Sequence, residues 1–379
     1  MFQSHTAHSH LLAPRDYSAP EVYAAEQRQV FRRAWNVVAS VDQLAKPGQQ
    51  LAIDIGGIPV LVRNDAGTLR AYRNVCAHRH SLVAPAGFTC QSKLRCQYHG
   101  WEYGSDGALS HLPDGSSFKG WKATNARLEQ LRCEAAFGLV FVNPTAGSGS
   151  LRAEFGSVSP ALDQHFVDLS LRWIQITEHD VNWKIIVENA VEGYHVPMVH
   201  QQTFVTYQDE RFHDHVIEPM FTQYHDLKSA EPARPRDVAI DRLLFRSKRL
   251  WGYSHTHIFP NHLLSWAGFY REWVIVEPLG PRRSRRIGYG FMPNDLRASG
   301  ALAPLWRVAV GEIARRTRKM ADKILGEDSS LWDSVQRGTE ASPHAGVLSA
   351  REERVAAFQQ WLVAQRDSPG ATSAAPITG

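Results

Sequence analysis

The chain has 379 residues, enough for two domains or three, each able to bury its own core. An apolar share of 43% against 21% charged is ordinary for a globular protein, and a net charge of +4 makes no case for a nucleic-acid partner. No apolar run of about eighteen residues is present, so no membrane span is expected. Four cysteines are too few for a secreted disulfide scaffold, which points to a reducing, cytoplasmic compartment.

The opening MFQSHTAHSHLLAPRDYSAP lacks a basic start followed by an apolar stretch, so no signal peptide is expected. Its histidines, His5, His8 and His10, read as a surface lead. Ser18 is placed to cap a helix in which Pro20 occupies the first turn and Glu21 suits the dipole. Val22, Tyr23, Val30, Phe31 and Trp35 give that helix one apolar face, so residues 1–36 are expected to pack on a later domain.

Residues 37–148 change texture to short β-type runs broken by glycine and turn residues, an all-β domain of hairpins. Ala146-Gly-Ser-Gly-Ser150 is a seam, and residues 149–366 form a second domain. That domain carries a helix at about 182–196, β structure at about 250–293, and helices at about 301–325, 329–337 and 349–365. Residues 367–379 read as a disordered tail.

Within the β domain, Cys76-Ala-His78-Arg79 is followed by Cys96-Gln-Tyr-His99-Gly100-Trp101. Each pair is a short loop offering one thiolate and one imidazole. A structural zinc and a [2Fe–2S] cluster both use such ligands. Zinc sites usually pair like with like, whereas here each loop carries one of each. Two facing loops then bring both thiolates to one iron and both imidazoles to the other. Gly87, Gly100 and Gly104 permit the turns, and His111-Leu-Pro113 is a candidate third covering loop. Cys90 and Cys133 fall outside the pattern and read as small buried hydrophobes.

A carrier would need no more than this, yet about 230 residues follow. Among them lies Glu188-Asn189-Ala-Val-Glu192-Gly-Tyr194-His195-Val-Pro197-Met-Val-His200. Two histidines and a carboxylate hold ferrous iron with positions open to dioxygen. On a straight helix, residues five apart lie about 140° apart, so the helix is expected to kink or end at Pro197 and return His200 to the metal. Glu192, one turn before His195, is placed to accept its other ring N–H. The third ligand is a distant carboxylate, with Asp322, Glu327, Asp328 and Asp333 as candidates.

C-x-H-R with C-x-Y-H-G-W, followed by E-x-x-H-x-x-x-x-H, resembles the catalytic (α) subunits of the Rieske non-haem iron oxygenases from about residue 18 to 365. The resemblance implies an α+β protein, an all-β Rieske domain plus a helix-on-antiparallel-sheet (helix-grip, START-like) catalytic domain. It implies a [2Fe–2S] cluster on Cys76, His78, Cys96 and His99, and Fe(II) on His195, His200 and Asp328. Gly326-Glu-Asp328 ahead of Val335-Gln336-Arg-Gly338 matches the family's E-D motif, with Glu327 the next choice. Asp328 is expected at a helix start.

Electrons are implied to come from NAD(P)H through a ferredoxin or flavin reductase, with O2 as co-substrate. Glu192 is implied to bridge His99 of one subunit to His195 of the next across a homotrimer; aspartate is the family's usual residue, and glutamate occurs in carnitine- and choline-type relatives. A small β-subunit is the alternative assembly. The expected reaction is hydroxylation or demethylation of a small aromatic molecule, with ring cis-dihydroxylation and plain electron transfer as alternatives. Position nominates Asn189, Phe204, Tyr207, Phe221, His255, His257, Asn261, Leu263 and Phe269 for the pocket.

Overall fold

The computed structural model describes residues 3–122, 124, 126–145, 147, 149–204, 213–226, 253–268, 270–294, 301 and 303–368. After a two-residue strand β1 (His8–Ser9), paired with Val347–Leu348, two seven-stranded antiparallel sheets organise the chain. The first holds β2 (Asn36–Ser40), β3 (Gln49–Ile55), β4 (Ile58–Asp65), β5 (Thr68–Arg73), β6 (Gly87–Cys90), β10 (Gln130–Ala136) and β11 (Leu139–Asn143) in the order β2-β11-β10-β5-β4-β3-β6. A three-stranded sheet, β7 (Leu94–Arg95), β8 (Glu102–Tyr103) and β9 (Leu109–His111), is set beside it.

The second large sheet holds β12 (Leu169–His179), β13 (His213–Ile217), β14 (Phe221–Asp226), β15 (Tyr253–Ile258), β16 (His262–Ala267), β17 (Tyr270–Gly280) and β18 (Arg283–Pro293), in the order β12-β18-β17-β16-β15-β14-β13. Both its faces are covered, so β15 to β18 are buried almost continuously rather than in alternation. On one face, Leu263, Val274 and Val276 pack against Ile185, Ile186 and Val187 of helix α4 (Trp183–Val191) and Phe358 and Leu362 of the C-terminal helix (Glu353–Arg366). On the other, Leu264, Trp273, Ile275 and Tyr289 meet Phe137, Leu139 and Phe141 of the Rieske-type domain. Each buried side chain of this size contributes about 1.5–3 kcal/mol.

Helix α1 (Pro20–Glu26) starts with Pro20 in its first turn, but Ala19, not Ser18, is the N-cap, and the helix continues as a π turn over Gln27–Phe31. It lies on the catalytic domain: Val30 and Phe31 share a core with Trp183. The link is also ionic, because Lys184 Nζ meets Glu26 Oε1 at 2.7 Å with both side chains fully buried, and Trp183 Nε1 donates to Glu26 Oε2 at 2.9 Å.

Two helical expectations are corrected. The helices expected at about 301–325 and 329–337 are one helix, Ala303–Ala341. Gly326 sits in its interior with open space where a Cβ would be. A helix-interior glycine costs about 1 kcal/mol, too little to break a run whose one proline, Pro304, lies in its first turn. The helix around residue 190 ends at Val191 rather than at Pro197: Glu192 is extended (φ −117°, ψ 157°), and a new short helix, α5 (Val196–Val199), places Pro197 in its first turn, where a missing N–H is harmless. Among the described residues no helix is long and apolar enough to cross a membrane. Of the tail, residues 369–379 lie outside the described residues.

Candidate active site

The cluster loops are near-copies of one another. His80 N–H closes on the carbonyl of Cys76 at 3.1 Å, and Gly100 N–H closes on that of Cys96 at 3.0 Å. Both closing residues are left-handed, His80 at φ +58° and Gly100 at φ +74°, a conformation that favours glycine. The turns bury Cys76 and Cys96, and the two thiols face each other closely enough for Cys96 to raise the Cys76 pKa further above the value to which burial lifts it. Nδ1 of His78 and Nδ1 of His99 stand 3.1 Å apart, their rings 4.5 Å between centroids. Buried thiols behind and converging imidazoles in front fit a [2Fe–2S] group with its histidines outward.

Aromatic residues on both sides of the expected covering loop pack around His78, and the loop's own Leu112 packs on the core that holds Cys76 and Cys96. Trp101 stacks on His78 (4.8 Å, 8°), and Phe118 and Trp121 pack on Trp101 at 5.7 and 5.5 Å. The expected buried role of Cys90 is also corrected: the residue is exposed, while Cys133 is half-buried with its thiol pushed up to about 12 by burial.

The second group assembles from α4, α5 and the long helix. His195, His200 and Asp328 each offer one ligand atom, all within 4.8 Å of one another. Asp328 Oδ1 lies 3.0 Å from His200 Nε2 and 3.4 Å from His195 Nε2. That oxygen is buried and, among the described residues, has no well-aligned hydrogen-bond donor. A buried carboxylate oxygen facing two ring nitrogens of a two-histidine, one-carboxylate set is the donor arrangement of a non-haem Fe(II) centre. Asp328 is not at a helix start; it projects from mid-helix, two residues after Gly326.

Both imidazoles are held from behind. Glu192 Oε1 accepts from His195 Nδ1 at 2.5 Å, and its other oxygen accepts the backbone N–H of Tyr194 and, at 3.2 Å, of His195. Glu327 Oε2 accepts from His200 Nδ1 at 2.7 Å, while its Oε1 accepts from Thr203 Oγ1 at 2.6 Å. Glu327 therefore grips the back of the ring whose front faces Asp328. Burial lowers the His195 pKa, but Asp328 and Glu192 outweigh it and bring it up to about 9. His200 is raised as well: burial pulls its pKa down, and Asp328 and Glu327 more than reverse this. A metal ion would replace these protons. Such outer-shell partners change metal affinity 10- to 100-fold, so Glu327→Ala is expected to weaken iron retention by about that factor, read as iron content after graded chelation, with Glu327→Gln nearer the parent.

The nominated pocket residues divide. Phe204 packs edge-on against His200 at 5.2 Å. Asn189 ties α4 to the long helix that carries Asp328, accepting from Trp332 Nε1 at 2.8 Å. His255 lies by the buried Arg354, whose guanidinium is 3.1 Å from its Nδ1. His257 is fully buried with Nε2 on the Pro260 carbonyl at 2.9 Å, and burial pushes its pKa to about 3. Three are corrected. Phe221 and Leu263 are core residues on opposite faces of the sheet, because strand alternation points them into packed layers. Asn261 holds the Val276 carbonyl (2.9 Å) beside a cleft of about 650 Å³ between the two domains. Tyr207 and Phe269 lie outside the described residues.

Sequence reasoning missed the aromatic and charged residues on the helix-facing side of the sheet. Cross-strand register places Tyr224, Tyr253 and His255 on that side with Leu263, and Tyr270 and Glu272 with Val274. Tyr270 stacks on Trp173 (5.6 Å, 11°), and Gly290 makes room for it, since a Cβ there would strike the Trp173 ring. Burial raises the Tyr253 pKa; Tyr224 and Arg354 oppose the rise, and Glu272 and Asp328 add to it. Period-two alternation in residues 253–272 was the available signal.

An all-β domain presenting facing Cys–His loops, joined to a helix-covered sheet with a two-histidine, one-carboxylate set, defines the Rieske oxygenase α-subunits as a class. Comparison with known proteins agrees. Residues 168–368 match the family model for the ring hydroxylating alpha subunit (catalytic domain), and residues 34–122 match that for the Rieske [2Fe-2S] domain. The chain belongs to this family of ring-hydroxylating, Rieske-type oxygenase α-subunits, enzymes that work with a Rieske cluster, a mononuclear iron and O2, and that take electrons from a reductase or ferredoxin. It is 26% identical to the chloroplastic choline monooxygenase of Arabidopsis thaliana over 86% of this chain and 76% of that one. Against the carnitine monooxygenase oxygenase subunit of Escherichia coli (strain K12) it is 28% identical over 65% and 67%. Its fold is shared with a quaternary ammonium Rieske monooxygenase bound to L-carnitine (TM-score 0.71, 20% identity, 93% and 94% covered). It is equally shared with naphthalene 1,2-dioxygenase from Rhodococcus sp. (0.71, 19%, 94% and 95%).

Proposed function

We propose that this chain is the terminal oxygenase of a monooxygenase acting on a small molecule with a methylated ammonium group. The observation that carries the reading is the wall of Tyr224, Tyr253, Tyr270 and Trp173 on the sheet face turned toward the helices that bear His195, His200 and Asp328. Ring faces bind quaternary ammonium groups through their quadrupoles. Glu272 adds a carboxylate, but Arg286 already pairs with it at 3.0 Å, which leaves cation recognition mainly to the rings. Choline and carnitine, named in the relatives, are of this chemical class. The small aromatic substrate expected from the sequence gives way to it.

Cys76, His78, Cys96 and His99 would hold the cluster, and His195, His200 and Asp328 the iron. When bound, these groups would supply dioxygen activation, in which two electrons and two protons let one oxygen atom enter the substrate and the other leave as water. Glu192 and Glu327 fix which ring nitrogen each histidine turns to the metal, and the tyrosine wall holds the substrate beside it. The reading includes a homotrimer in which His99 of one copy approaches Glu192 of the next. It is supported by exposed apolar neighbours at both places, Tyr98 (54%) by His99 and Tyr194 (56%) and Met198 (74%) by Glu192.

The test supplies reductant and a panel of trimethylammonium compounds and simple arenes, recording oxygen uptake with product mass. A gain of one oxygen, or amine release with an aldehyde, on the ammonium compounds is expected. Turnover confined to arenes, with a gain of two oxygens, would replace this reading by ring cis-dihydroxylation.

A further inference from the structure

Arg354, on the C-terminal helix, is a cation sealed inside the catalytic domain: it is 1% exposed, and its guanidinium lies over the Tyr224 ring at 5.0 Å. Its hydrogen-bond partners among the described residues are all neutral. Nε donates to Thr222 Oγ1 at 3.1 Å, Nη1 to the Val191 carbonyl at 2.9 Å, and Nη2 to His255 Nδ1 at 3.1 Å. The adjacent carboxylate, Glu353, is taken up by His215 and by the backbone N–H groups of Gln3 and Ser4. A buried charge without a counter-charge is costly. Arg354 also decides how His255 is protonated. A guanidinium N–H can only donate, so Nδ1 accepts and the ring proton sits on Nε2. Burial, with Arg354 adding to it, holds the His255 pKa well below its ordinary value, so the ring stays neutral. Nε2–H has no protein acceptor among the described residues. Cross-strand register sets His255 in one row with Tyr224, Ser265 and Glu272 on the helix-facing side of the sheet. His255 and Glu272 stand two strand spacings apart, about 10 Å. Val191, whose carbonyl Arg354 holds, directly precedes Glu192, which backs His195. The row therefore starts beside the two-histidine site, basic at one end and acidic at the other.

We propose that His255 Nε2–H, oriented by Arg354, binds a carboxylate on the substrate, so that this oxygenase takes zwitterionic ammonium carboxylates in preference to cationic amino alcohols. The proposal rests on the ammonium reading above and sharpens it, since both kinds of molecule fall within that reading. A short zwitterion lying along the row has its carboxylate at the Arg354 end, where it supplies the missing counter-charge. Its methylated ammonium group then falls among the rings of Tyr253, Tyr270 and Trp173. A cationic alcohol offers the same ammonium group but leaves the arginine uncompensated. His255 thus sets specificity by touching the substrate, and Arg354 is a positioning residue that acts through it.

The experiment uses the cluster- and iron-loaded protein with three trimethylammonium compounds of one chain length, ending in a carboxylate, its methyl ester or an alcohol. Binding is read by calorimetry without reductant, and kcat and KM are read with reductant supplied. The acid is expected to bind about tenfold or more tightly than the other two, and to lead them by about a hundredfold in kcat/KM. His255→Phe is expected to erase that lead, and His255→Gln, which keeps an N–H near the Nε2 position, to restore part of it. The change should fall on KM more than on kcat, a split that a general loss of packing would not produce. Should His255→Phe not fold, His255→Asn takes its place: its shorter amide cannot reach the Nε2 position and should lose the lead that His255→Gln keeps. Equal binding of the three compounds by the parent overturns the proposal, as does a lead for the acid that survives in the variant lacking the Nε2 donor. Failure of the ammonium reading beneath it looks different: none of the three compounds binds, and arenes are turned over instead.

Discussion

Asp328→Ala is expected to abolish oxygenase turnover and remove the mononuclear iron while leaving the cluster's iron and spectrum in place. Three features make the loss complete. Oδ1 of Asp328 is the atom that faces both Nε2 positions, at 3.0 and 3.4 Å. The nearest other carboxylates are already committed, Glu327 to His200 Nδ1 and Thr203, Glu192 to His195 Nδ1 and two backbone amides. Neither can swing round without abandoning the ring it orients. The long helix also fixes the position from which any replacement would have to reach. Iron analysis per chain beside the visible spectrum checks this; a variant that keeps full mononuclear iron and oxygen uptake would remove Asp328 from the ligand set.

The second large effect falls on stability. Lys184→Met strands Glu26 as a fully buried carboxylate whose remaining partner is the Trp183 indole N–H. Breaking one side of a buried ion pair costs about 3–5 kcal/mol, whereas replacing both members with apolar groups is often neutral. Lys184→Met is therefore expected to lower the thermal midpoint strongly, and Glu26→Leu with Lys184→Met to recover most of it. The pair joins α1 to α4, three turns of chain from His195, so the loss should appear first in the catalytic domain. Equal destabilisation in the double variant would show that packing around the pair, not charge, is what matters.

The cluster ligands were legible in the sequence because each loop is local: two ligands within four residues, closed by their own backbone bonds. His195 and His200 were legible for the same reason, although the turn between them was placed wrongly. Pro197 drew attention as a breaker, while the actual break is at Glu192 and Gly193, and the proline merely starts the next helix. The carboxylate was harder, since nothing local distinguishes Glu327 from Asp328. Adjacent helix positions point about 100° apart, so one reaches the back of His200 and the other its front, and only the packed helix decides which. The tyrosine wall was out of reach because it depends on cross-strand register between segments far apart in sequence.

The unbroken helix Ala303–Ala341 has a consequence for how this protein can change. It carries Asp322, linked to Gln175 on the sheet at 2.5 Å, then Asp328, then Trp332, linked to Asn189 at 2.8 Å. These three anchors hold fixed rotations on one cylinder: Asp328 and Trp332 share a face about 40° apart, and Asp322 lies about 80–120° round from them. Inserting or deleting one residue between any two of them would turn the later ones by about 100° and leave at least one anchor facing away. A one-residue insertion or deletion in this stretch is therefore expected to cost the site either its carboxylate or the tie from Trp332 to Asn189.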